Sequence, residues 1–116
     1  NPNQLLVCNV DYLYIMKDIS VQELRERLQS GAPLILIDVR EPLEHEEHNI
    51  GGINIPVTEL PFRIDEIKAM GEKDIVLYCM SGNRSILAQK LLETQFRIEN
   101  TYNLRGGVNA WMEEQE

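Results

Sequence analysis

The sequence predicts an α/β domain of three layers, a mostly parallel central sheet with helices on both faces. Three observations predict it. Leu34-Ile35-Leu36-Ile37 and Ile75-Val76-Leu77-Tyr78 are continuously apolar rather than alternating, so both faces of each run must be covered. Segments with helix start and stop signals lie between such runs. The order is strand, helix, strand, helix, and crossovers of that kind join parallel neighbours.

Each element has its own cue. Ser20-Val21-Gln22-Glu23 is a capping box, Val21, Leu24 and Leu28 share one helical face, and Gly31 ends that helix. Leu34 to Ile37 is too short for a surface helix and reads as a buried strand ending at Asp38. Glu41 to His48 reads as a short acidic helix, Ile53-Asn54-Ile55 as a brief strand, and Leu60 to Met70 as a helix opened by Pro61. Asp74 to Tyr78 is the central strand. A helix from Arg84 to about Thr94, a strand Thr101 to Leu104 and a last helix over Val108 to Glu113 complete the pattern. Ligands of parallel sheets bind at the C-terminal ends of strands. Asp38 and Cys79 both fall there, on one rim.

Composition narrows the function classes. At 116 residues, 43% hydrophobic and 26% charged, the chain suits one globular domain with a single core. A formal charge of −8 argues against nucleic acid and anionic membrane as partners, because neither finds a Lys/Arg surface. No run has the length of a membrane span and no signal peptide opens the chain, so the protein reads as soluble and cytoplasmic. Cys8 and Cys79 are far apart and form no Cys-x-x-Cys pair, which fits neither zinc nor a disulfide framework. His45 and His48 lack a third ligand and read as surface or packing residues. No cofactor and no metal are called for. Residues 1–17 read as an N-terminal extension or linker and 18–116 as the domain; the start at Asn1 suggests a piece cut from a longer chain.

The chemistry concentrates in Cys79-Met80-Ser81-Gly82-Asn83-Arg84-Ser85, between the strand ending at Tyr78 and the next helix. A strand that feeds a short Gly/Ser/Asn loop into a helix points several backbone N–H groups at one spot, where the helix adds partial positive charge. A cysteine there ionises readily and is a candidate nucleophile. The competing reading is a small buried residue ending a strand. Four residues separate Cys79 from Arg84, one fewer than in the phosphate loop of cysteine phosphatases. The smaller ring suits the terminal sulfur of a persulfide held by the amides of Met80 to Ser85.

Four motifs in order resemble the rhodanese (sulfurtransferase) domain. They are Asp38-Val39-Arg40-Glu41-Pro42, then His48-Asn49-Ile50-Gly51-Gly52-Ile53-Asn54-Ile55-Pro56, then the Cys79 loop, then Leu104-Arg105-Gly106-Gly107 with Ala110-Trp111. Asn49 and Gly52 stand where that family usually has Ile and Ala. The resemblance implies a three-layer rhodanese-like fold and transfer of a sulfane sulfur from thiosulfate or a persulfide, through Cys79, to a thiol, cyanide or an activated carrier-protein terminus. Arg84, Ser81 and Ser85 would stabilise the anionic sulfur. Arg40 either contacts the anionic donor or pairs with Glu41 or Glu44, and Asp38 supports its own loop. Family members efficient with thiosulfate can carry Arg where this chain has Glu44, so a Glu44 facing the rim would repel a dianionic donor. Domains of this style also end adenylyltransferase proteins, which makes such a domain a possible partner. The alternatives are a non-catalytic docking module and a phosphatase or arsenate reductase relative, the last calling for the longer loop. Cys8 as a second sulfur relay is the remaining minor reading.

Overall fold

A computed structural model describes residues 17–114. The expected linker up to residue 16, and Cys8 with it, lie outside the described residues. The elements are β1 (Lys17–Ile19), α1 (Val21–Ser30), β2 (Leu34–Asp38), α2 (Pro42–Glu47), β3 (Ile53–Asn54), a 3-10 helix (Val57–Phe62), α3 (Ile64–Ala69), β4 (Asp74–Tyr78), α4 (Asn83–Phe96), β5 (Thr101–Leu104) and α5 (Gly107–Glu113). The strands form one five-stranded sheet in the order β1-β5-β4-β2-β3, and every pairing is parallel.

Burial on both faces follows from the pleat. In β2, Ile35 and Ile37 face one layer and Leu36 the other; in β4, Ile75 and Leu77 oppose Val76 and Tyr78. The first set packs with Leu60, Ile64, Ile67, Ala88 and Leu92 of the 3-10 helix, α3 and α4. The second packs with Val21, Leu24 and Val108 of α1 and α5. Each such Leu, Ile or Val contributes about 1.5 to 3 kcal/mol by leaving water. Two apolar layers therefore clamp β4, the strand that carries the cysteine.

Local signals act largely as read. Ser20 caps α1 by accepting the Glu23 N–H at 3.1 Å, and Gly31, at φ 72°, closes it through bonds to the Arg27 and Leu28 carbonyls. Leu28 departs from its expected face and is 41% exposed. The segment read as one helix from Leu60 to Met70 is two. Arg63, at φ −124° and ψ 22°, breaks the helical path, and Pro61 sits inside the preceding 3-10 turn rather than opening an α-helix. β1 carried no sequence cue and begins at Lys17, one residue before the expected domain boundary; its pairing with β5 supplies the hydrogen bonds that three residues cannot make alone.

Candidate active site

β4 delivers Cys79 to the rim, where it is 1% exposed. The chain then turns at Gly82, φ 103°, directly into α4. A side chain there would be strained, so glycine lets the loop close tightly. The Gly82 N–H donates to Sγ at 3.0 Å and the Ser85 Oγ lies 3.4 Å from it. Burial pushes the thiol up, but the Ser85 hydroxyl and the amides of Ser85, Gly82 and Ser81 together outweigh it and hold Cys79 below the ordinary cysteine value. The site favours a thiolate.

The loop is held from behind by α5. Val108 N–H donates to the Cys79 carbonyl at 2.9 Å and Asn109 N–H to the Met80 carbonyl at 3.0 Å. With two carbonyls pinned to α5, the amides farther along the loop are free to converge on the sulfur. Gly107 makes the approach possible: a Cβ there would lie 2.2 Å from the Cys79 carbonyl oxygen.

Asn103 is a site residue that the sequence reading missed. The Ser85 hydroxyl contacts the Gly82 carbonyl at 3.1 Å and also the Asn103 Oδ1. One hydroxyl proton cannot serve two oxygens and the sulfur together. An asparagine amide turned over has the same shape. With Nδ2 toward Ser85, Asn103 would donate, which leaves the Ser85 proton to the Gly82 carbonyl at 3.1 Å or the Cys79 sulfur at 3.4 Å. The available signal was a lone amide in the strand Thr101-Tyr102-Asn103-Leu104, in register with Leu77 of β4.

Arg84 points its fork at Glu44 of α2, with Nη1 to Oε1 at 2.7 Å and Nη2 to Oε2 at 3.0 Å. The Arg84 bond is the main cause holding the Glu44 carboxyl down at about 2. The two residues read separately, one as anion binder and one as anion repeller, are a bidentate pair. Arg40 likewise pairs with neither Glu41 nor Glu44. It is 1% exposed, and its Nε and Nη2 bond to Asp38 at 3.0 Å and 2.8 Å, because the strand-end carboxylate two residues back is the nearest anion. Asp38 also accepts the Arg40 N–H at 3.0 Å and meets His45 Nδ1 at 2.8 Å, so it knits the β2 loop to α2. Of the remaining loop residues, the Ser81 and Asn83 side chains are exposed, and Met80 is half-buried beside α5.

The arrangement is a buried cysteine sulfur with an inward ring of donors and a neutralised arginine at its mouth. Known proteins resemble the chain. The model of the family described as Rhodanese-like domain matches residues 20–114. A sulfurtransferase of Allochromatium vinosum is 34% identical over 98 residues, covering 84% of this chain and 89% of its own. The protein named adenylyltransferase and sulfurtransferase MOCS3 from Drosophila persimilis is 32% identical, covering 88% of this chain but 24% of its own. The solved structure of the human single-domain sulfurtransferase TSTD1 has a TM-score of 0.73 at 28% identity, covering 85% of this chain and 97% of that one.

Proposed function

The chain belongs to the rhodanese-like domain family, and we propose that it is a sulfurtransferase that carries a sulfane sulfur on Cys79. The observation that carries this reading is the set of donors around the Cys79 sulfur, the Ser85 hydroxyl and the amides of Ser85, Gly82 and Ser81, which favour an anionic sulfur at that point. Relatives named sulfurtransferase support it.

The transfer runs in two steps. Cys79 thiolate attacks the outer sulfur of the donor; the new S–S bond forms as the old one breaks, and the donor leaves as a thiolate or, from thiosulfate, as sulfite. An acceptor thiolate or cyanide then attacks the outer sulfur of the Cys79 persulfide and expels Cys79 as a thiolate. Each step moves one electron pair and needs no outside oxidant. No general base is assigned, because the loop's donors lower the Cys79 thiol below its ordinary value and so favour the nucleophilic form. With Arg84 held by Glu44 and Arg40 by Asp38, the mouth offers a dianion little free positive charge. The preferred donor is therefore a singly charged persulfide rather than thiosulfate. The MOCS3 likeness supports an adenylyltransferase domain as a partner, with an activated carrier-protein terminus among the acceptors. The persulfide chemistry suits a reducing cytoplasm.

The test is sulfur transfer from a persulfide or thiosulfate to cyanide. Cys79→Ser abolishes it with unfolding by heat unchanged, and Cys8→Ser retains it. Comparable turnover in Cys79→Ser refutes the proposal.

A further inference from the structure

Beside the cysteine loop lies a cleft of about 300 Å³ with a floor of Met80, Val108 and Met112. Met80 follows Cys79 in the chain and Glu44 holds Arg84, so the cleft lies against the cysteine loop, although the Cys79 sulfur itself is not part of its lining. Its volume is at the lower end of the range for small-molecule sites. Its floor is apolar, and its wall carries charge that is mostly cancelled. Arg40 is paired with Asp38 and Glu44 with Arg84. Glu47 also lines the wall and has no cationic partner among the described residues. His48, next to it, completes the wall.

We propose that this cleft seats the carbon chain of the acceptor thiol and selects chains ending in a neutral or cationic group over those ending in a carboxylate. The inference rests on the sulfur-transfer reading and adds the substrate class to it. The floor is what a short alkyl or aryl chain needs, since each buried methylene favours binding. An anion gains nothing there, because both arginines near the mouth are already paired and Glu47 repels it. The chemistry is the second transfer step. The acceptor thiolate attacks the outer sulfur, the Cys79 S–S bond breaks, and Cys79 departs with the electron pair as the new persulfide leaves on the acceptor.

Three acceptors with one chain length test this: mercaptohexanoate, mercaptohexanol and aminohexanethiol, whose end groups are too far from sulfur to change its reactivity. For the native chain, kcat/KM is about fivefold or more higher with the amine than with the carboxylate, and the gap shrinks with salt. Glu47→Lys reverses the order. Met112→Ser, at a half-exposed position, lowers kcat/KM for mercaptohexanol several-fold relative to that for cyanide. Alkylation of Cys79 by iodoacetamides bearing the same three tails reads the cleft without any sulfur transfer. Preference in alkylation with no transfer leaves the cleft standing and removes the transferase reading. Transfer with no tail preference in either assay, or a Glu47→Lys protein that keeps the native order, overturns the cleft proposal alone.

Discussion

Replacing Glu44 by glutamine removes one charge from the cysteine rim and little else. Glutamine can still accept the Glu41 N–H that Glu44 Oε1 takes at 3.2 Å, so the cap of α2 survives. What is lost is the bidentate hold on Arg84, whose guanidinium then faces the loop unpaired. The pair is partly solvated, with side-chain exposures of 40% and 30%, so its loss costs at most about 1 kcal/mol of stability. Because Glu44 is held down at about 2 from an ordinary 4.5, that stabilisation is complete above pH 4.5 and is lost as pH falls toward 2. Native and variant unfolding curves accordingly converge in acid. Activity moves more. One unmasked charge acting on a dianion across a half-solvated contact is worth on the order of 1 to 2 kcal/mol, so thiosulfate kcat/KM rises about tenfold in Glu44→Gln. A monoanionic persulfide donor gains about threefold, and Glu44→Arg carries the thiosulfate gain further. Measuring both donors at two salt concentrations checks this, since the gain must shrink as screening increases. An unchanged or lower thiosulfate value would refute the reasoning, because it would mean that donors do not feel Arg84.

Ser85→Ala removes the main hydrogen bond that lowers the Cys79 thiol, so iodoacetamide alkylation near neutral pH slows about three- to tenfold and its pH profile moves to higher pH. Asn103→Leu removes that donor and shifts the profile the same way; a shift to lower pH would show that Asn103 takes the Ser85 proton instead. Gly52→Ala restores the residue usual in the family, yet it destabilises this chain by about 2 to 3 kcal/mol in urea unfolding. Gly52 has φ +80° and an added Cβ would lie 2.1 Å from the Leu36 carbonyl oxygen; a neutral or stabilising result would contradict that packing.

Much of the fold was legible because its signals are local. Ser20 and Gly31 bracket α1 within a few residues of the groups they satisfy, and the unbroken apolar runs of β2 and β4 state that both faces are covered. The cysteine loop was legible for the same reason, since strand, glycine and helix start are contiguous. Two features failed locally. β1 is three residues whose stability comes from β5, and the break at Arg63 depends on how the 3-10 turn packs on α4. The site's electrostatics were the least legible part. Glu44 meets Arg84 across 40 positions and Asn103 meets Ser85 across 18, and no spacing in the chain announces either. Arg40 bonds only two residues away, but its choice of Asp38 over Glu41 or Glu44 is set by the direction the chain takes on leaving β2.

We propose that Cys79 alone carries the transferred sulfur. Intact mass of the native chain after incubation with glutathione persulfide or thiosulfate tests it most directly. The native chain gains the mass of one sulfur atom, which cyanide removes again, and Cys79→Ser gains none. A native chain that gains nothing, or a Cys79→Ser chain that still takes up sulfur, would contradict it.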